Sequence, residues 1–299
     1  MSTQLTVVRR KPRSARLYRV LLYTFLTTMA LLWLVPIGSA IYASLRPYSE
    51  TQKIGLFSWP KSFSLQNYRD AWKGGGMTHA FYNTMFIVLP SLLLILAFSS
   101  AMAFAVSRFS WRFNVTLLLI FTAGNLLPAQ VIFQPLFQMY KAMPWPDVLS
   151  DTDTGNLLGT KIAVIIIHVA FQTGFCTFVL SNYMKTIPKE LGEAALVDGA
   201  SVLRQFFQIV MPLCRPALAA LATLEFTWLY NDFFWAVVLL NQGDQRPITS
   251  SIANLGGQFF SNDNLIAAAS MIICVPTLVV YLALQKHFIS GLTLGANKG

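Results

Sequence analysis

The chain alternates long apolar runs with short polar links. Apolar runs cover Leu17–Leu45, Phe81–Val106, Phe113–Tyr140, Lys161–Met184, Arg215–Leu240 and Leu265–Leu284. A bilayer core of ~30 Å takes about 20 residues of helix, so each run is long enough to span it. The pattern predicts an all-α, polytopic membrane protein with about six transmembrane helices. The third run carries Asn125, Pro128, Gln130, Gln134 and Pro135. Such residues are tolerated at membrane depth where they face other helices or a cavity. The first run exceeds the roughly 7–15-residue core of a cleaved signal, so it is expected to stay as an anchor. The organisation expected is a basic segment at 1–16, one transmembrane domain at 17–285 with a structured loop at 186–213, and a tail at 286–299.

Composition agrees. Of the 299 residues, 55% are hydrophobic and 11% charged, and mean hydropathy is +0.55. Soluble domains carry about 25% charged residues. The net charge of +10 would suggest a nucleic-acid partner in a soluble protein. Here the basic residues flank apolar runs, so lipid is the expected partner and nucleic acid is not. Arg9, Arg10, Lys11 and Arg13 precede the first run, and Arg108 and Arg112 follow the second. Lys185, Lys189, Arg204 and Arg215 lie between the fourth and fifth, with Lys286 and Lys298 after the sixth. With six spans all of these fall on one side. The positive-inside rule then places both termini and the 186–213 loop in the cytoplasm.

The chemistry-bearing residues exclude most enzymes. Cys176, Cys214 and Cys274 lie in or beside spans and suggest no disulfide framework. His79, His168 and His287 have no metal-ligand spacing. Gly155–Lys161, GNLLGTK, lacks phosphate-loop spacing, and Ile162 stands where Ser or Thr is needed. No catalytic group, no metal site and no ATP site is expected in this chain. A self-contained secondary transporter remains the alternative. It would call for midplane ion sites and inverted repeats, and the sequence has no internal symmetry.

The loop at 186–213 is more structured than a tether requires. Pro188 suits a first helical turn. Glu190 and Glu193 complement the positive end of that helix, and Lys189 can pair with Glu193. Gly199 supplies a left-handed helix end. Ser201 caps a second helix running to about Val210, which Pro212 stops. Val202, Phe206 and Ile209 share one face of it. These residues fit an amphipathic pair resting on headgroups or a docking element.

Within the fifth run, Glu225 and Asp232 are seven residues apart and fall near one helical face. Carboxylates at membrane depth are functional candidates by default. With Trp228 and Asn231 they form a candidate translocation path. The opposite face, near Leu229 and Ala236, is expected to meet lipid.

The residue frame adds a resemblance. EAALVDGASVLRQFFQIVMP resembles the cytoplasmic signature of ABC importer permeases, with Glu193, Ala194, Ala195, Gly199, Ile209 and Pro212 in frame and Met211 where Leu is usual. IPKELGEAALVDGAS is similar to the carbohydrate branch. Pro60–Tyr68, Ala103–Phe109, Tyr230–Leu240 and the tail Gln285–Gly299 resemble other parts of maltose-type permeases in chain order. The resemblance implies a type I ABC importer permease fold in a bacterial or archaeal inner membrane. It implies a second permease, two cytoplasmic ATP-binding subunits that hold ATP and Mg, and an extracytoplasmic substrate-binding protein. The ATPase-coupling residues it implies are Glu193, Ala194, Ala195, Asp198, Gly199, Ala200, Ser201, Ile209 and Pro212. A tail contact to the ATPases through Gly291, Leu292, Thr293, Gly295 and Lys298 is implied too. The acidic link Pro144–Asn156, with Asp147, Asp151 and Asp153, is expected to meet the binding protein.

Overall fold

The longest apolar runs become long helices in the computed structural model. It describes residues 13–56, 58–125, 127–146, 148, 155–240, 243–255 and 262–293. Four helices are long and apolar enough to cross a bilayer: α1 (Arg13–Ser44), α4 (Met77–Arg108), α7 (Lys161–Met184) and α14 (Asp263–Thr293). Two bent helix pairs raise the number to as many as six. No β-strand is present among the described residues beyond one isolated bridge, Pro144 to Asn156.

α4 and α7 form the centre of the bundle. Small residues are buried in both helices: Ser91, Ser99, Ser100 and Ala103 on α4, and Thr173, Thr177 and Ser181 on α7. Lipid tails are as apolar as leucine, so helix association in a membrane relies on close packing, and small side chains permit it. α11 (Arg215–Tyr230) packs on α4 and α14, and α1 runs along α14. α1 leaves Leu21, Leu31 and Trp33 exposed, with Trp33 at 80%. That surface suits lipid or another membrane chain.

Two of the expected spans are broken. The third divides into α5 (Asn114–Gly124) and α6 (Ala129–Ala142), which meet at 93°. Pro128 at the start of α6 has no N–H and biases its predecessor away from helix. The fifth is not continuous either. α11 ends at Tyr230, a short α12 (Phe234–Leu239) follows after Asn231–Phe233, and one turn, α13 (Ile248–Ser251), precedes α14. Sixteen residues of α11 rise about 24 Å, short of a ~30 Å core. Asp232 therefore lies at a break and not within a helix. Its carboxylate accepts the N–H groups of Trp235 at 3.4 Å and Ala236 at 3.1 Å, which secures the start of α12.

At the end of the bundle where α1 finishes, α2 (Tyr48–Ile54) and α3 (Gln66–Gly74) are tied down by one buried cation. Arg46 is fully buried. It donates to Glu50 Oε1 at 2.7 Å and to the carbonyls of Leu56 at 2.6 Å and Gly55 at 3.1 Å. Asn67 and Asn264 donate to the Arg46 carbonyl at 2.7 and 3.1 Å, which joins α3 and α14 to the same point. Glu50 also accepts the N–H groups of Lys61 and Ser62. The Lys61 amide and the Arg46 guanidinium hold its carboxyl below the ordinary carboxylate range. A depressed pKa stabilises this arrangement above the ordinary carboxyl pKa. The contribution is lost as pH falls through the folded value. Glu50→Gln is accordingly expected to lower the amide-exchange protection factors of Lys61 and Ser62 at neutral pH, and acidification is expected to lower them in the unmodified chain. Unchanged protection in both measurements would remove Glu50 as the anchor.

Candidate functional site

The link between α7 and α11 folds into a compact helix pair. α8 (Glu190–Val197) ends in two reverse bonds: Gly199 N–H to Leu196 O at 3.0 Å and Ala200 N–H to Ala195 O at 2.9 Å. This is a Schellman end, and Gly199 carries the left-handed φ of +75° that it requires. Ser201 Oγ then accepts the Arg204 N–H at 3.3 Å and caps α9 (Val202–Gln205). Gln205 Nε2 donates to Ala200 O at 3.1 Å and braces the turn. The turn and the second cap lie where the residue types indicate, but Pro188 precedes the capping residue Lys189 and stands outside the first turn of α8.

The far end of the second helix differs from expectation. Pro212 does not stop it. A π-helical stretch at Phe206–Val210 leads into α10 (Met211–Leu213), with Pro212 in the first turn of α10. A proline at N1 or N2 has no intrahelical bond to lose, and the wider π turn moves the preceding carbonyls out of the ring's way. The chain bends only at Cys214, where Val202–Leu213 and Arg215–Tyr230 meet at 74°.

The pair has an inner and an outer surface. Phe206 packs on Phe104 with ring centroids 5.2 Å apart, Val210 and Ala195 are buried, and Ile209 is half-buried. Val202, expected on the same face, is exposed. Glu193, Ala194 and Asp198 are exposed, and no ion pair joins Glu193 to Lys189. Beside them four large apolar side chains face outward: Leu196 at 66%, Val197 at 88%, Leu203 at 69% and Phe207 at 65%. Large apolar side chains left exposed on a polar loop are candidates for an interaction site.

Gly291, Leu292 and Thr293 lie in the last turn of α14, so the helix continues past residue 286, where the tail was expected to begin. Gly295 and Lys298 lie outside the described residues, as do Asp147, Asp151 and Asp153.

The candidate path residues are separated by the fold. Glu225 is fully buried between α11 and α7, where Cys176 Sγ donates to its Oε1 at 3.1 Å. Asn231 borders an apolar groove with Ile37, Trp72 and Val275. Only Trp228 and Asp232 stay together, in a cavity of about 530 Å³. Leu229 and Ala236 are buried rather than lipid-facing. The break at Asn231–Phe233 reorients Asn231 and Asp232, which follow Tyr230, whereas Glu225 and Leu229 lie within α11 and are buried by helices packed against it. The cavity's other walls come from α5 (Thr122, Asn125), α7 (His168, Phe171, Gln172, Phe175) and Trp235 of α12. His168 Nε2 stands 3.6 Å from Asp232 Oδ2. Sequence reasoning missed the α7 contribution. The available signal was His168 and Gln172, two polar residues one turn apart in an apolar run.

Residues 94–293 match the family of binding-protein-dependent transport system inner membrane components. The chain belongs to that family. Among relatives of this inner-membrane component is the melibiose/raffinose/stachyose import permease protein MelC of Bacillus subtilis. It is 30% identical over 96% of this chain and 100% of its own length. The arabinooligosaccharides transport system permease protein AraQ of the same organism is 27% identical over 94% of this chain and 96% of its own. One solved structure, a bacterial ABC transporter involved in import of the acidic polysaccharide alginate, superposes with a TM-score of 0.77. It is 21% identical and covers 94% of this chain and 100% of its own, so the inner-membrane component shares its fold.

Proposed function

We propose that this chain is the permease subunit of an ATP-driven, binding-protein-dependent importer of sugars. It pairs with a second permease and takes its movement from two ATPase subunits, which hold ATP and Mg. The observation that carries this reading is the helix pair at 190–213. Its inner side is fixed to the bundle through Phe206 and Val210, while Leu196, Val197, Leu203 and Phe207 are left uncovered. A helix pair fixed on one side and apolar on the other moves as one piece with whatever docks on it. ATPase closure then becomes displacement of α7 and α11. Glu193 offers a charge at the edge of the apolar patch, and Ala194 lets the partner approach closely. The distribution of Lys and Arg supports a cytoplasmic position for the pair and for both termini. The α14 end and the tail at 286–299 form a second ATPase contact, and a binding protein delivers the sugar on the opposite side. The sugar class rests on the names of the relatives.

The test is reconstitution. The chain is co-expressed with a sister permease and an ATPase, and the complex is placed in liposomes with a binding protein. ATP-dependent uptake of di- or trisaccharides is expected. His168 and Asp232 within 3.6 Å of each other at membrane depth are the one observation that favours a proton-coupled carrier. Uptake by this chain alone, driven by a proton gradient, would establish that second reading instead.

A further inference from the structure

The cavity between α5, α7, α11 and α12 has a lining that the coupling role does not use. Seven residues separate Lys161, at the start of α7, from His168, a rise of about 10 Å; Phe175 lies about 21 Å along. The cavity therefore sits near mid-depth of a helix about 36 Å long. His168 is 5% exposed, and its Nε2 has no hydrogen-bond partner. A buried, unpartnered polar atom at that depth is costly unless something else satisfies it.

The lining specifies a chemistry. Thr122, Asn125, Gln172 and Asp232 supply hydroxyl, amide and carboxylate groups. Aromatic rings fill the rest. Phe175 and Trp228 lie 5.5 Å apart at 47°, and Phe171 and Trp235 lie 6.2 Å apart at 48°. Trp228 is 45% exposed, so much of its surface is free. No Lys or Arg is among the described lining residues, and Asp232 adds negative charge, so an anion is disfavoured. Alternating hydrogen-bond groups and flat apolar surfaces suit a molecule with a ring of hydroxyls and an apolar C–H face. A volume of about 530 Å³ lies within the ~300–1,000 Å³ range of small-molecule sites.

We propose that this cavity is a subsite for one uncharged glycosyl unit of the transported sugar, built by this chain, and that it contributes to selectivity. Trp228 and Phe175 take the C–H face. Gln172, Asn125 and His168 Nε2 meet hydroxyl groups. Asp232 accepts a hydrogen bond from a hydroxyl while it keeps its bonds to α12, and it excludes uronic acids. The proposal rests on the reading of the chain as a sugar permease.

The test uses the complete complex in liposomes with maltose, maltotriose, melibiose and raffinose as probes, each delivered on a saturating binding protein. Gln172→Ala and Trp228→Ala are expected to change the relative uptake rates of the sugars by about tenfold, the worth of one strong contact. Trp228→Phe is expected to restore most of the ratio. A folding or coupling defect lowers all sugars together and leaves the ratios unchanged. A second measurement covers a complex that takes only one of the sugars. Gln172→Cys in a Cys274→Ser background is labelled with a water-soluble methanethiosulfonate, and sugar-loaded binding protein is expected to slow the reaction at least threefold. Uniform loss without protection would overturn the subsite, as it would mean that side chains of the sister permease fill the cavity. A wild-type complex that takes up none of the sugars would remove the sugar-permease reading, and the subsite with it.

Discussion

Gly199→Val is expected to reduce ATP hydrolysis stimulated by loaded binding protein to about a tenth of the wild-type rate, in a complex that still assembles. The residue sits at φ +75°, in the turn between α8 and α9. An added Cβ there meets no atom within 4 Å, so crowding is not the cause. The cost is in the backbone. A non-glycine residue in the left-handed region loses roughly 1–2 kcal/mol, and a β-branched residue sits at the upper end. That energy is enough to depopulate the Schellman end by about tenfold or more. Once the bonds from Gly199 and Ala200 to Leu196 and Ala195 are lost, α8 no longer holds a fixed angle to α9. The patch Leu196–Val197 and the patch Leu203–Phe207 then stop acting as one surface. Gly199→Ala carries the smaller penalty and is expected to fall between. Full stimulated hydrolysis by an assembled Gly199→Val complex would show that the turn does not transmit movement.

A larger structural effect is expected at Gly174. Alanine in place of glycine inside a helix normally stabilises it by about 1 kcal/mol. Here the sign reverses. A Cβ on Gly174 would lie 2.4 Å from the Phe121 carbonyl oxygen and 2.9 Å from Asn125 Nδ2. The oxygen is backbone, so α5 as a whole must move. Overpacking of this kind costs about 1–3 kcal/mol, more for a larger side chain. Thr122 and Asn125 would move with α5, away from His168 and Gln172. Gly174→Ala is expected to lower the melting temperature of the detergent-solubilised complex. Gly174→Leu is expected to lower it further and to cut uptake by an order of magnitude. A wild-type melting temperature in Gly174→Leu would mean that α5 is not held against α7 in the assembled protein.

The two glycines illustrate different degrees of legibility. Gly199 could be read from its neighbours. A left-handed helix end needs glycine, Ser201 two residues on is a capping type, and both requirements are local. Gly174 gave no such sign. Its role depends on Phe121, more than fifty positions earlier, and close approach of two helices leaves no pattern in either one alone. Pro212 was misread for a related reason. Proline breaks a regular α-helix, but the π stretch that ends at Val210 removes the clash, and the pattern of residue types in the loop does not announce a π turn.

By itself the sequence determined the membrane class, the helix content, the long spans α1, α4, α7 and α14, and the helix–turn–helix between α7 and α11. Those features follow from run length, composition and local backbone preference, which act over a few turns of chain. The tertiary structure alone decided which polar residues meet. The break after Tyr230 cannot be inferred from the apolar run Arg215–Leu240, because hydrophobicity does not register a change of direction. Helical periodicity placed Glu225, Trp228, Asn231 and Asp232 on one path. Packing of α11 against α7 sends Glu225 to Cys176, and the bend after Tyr230 sends Asn231 to an apolar groove and brings Asp232 to His168. A cavity belongs to several elements at once, and only their packing fixes which side chains share it.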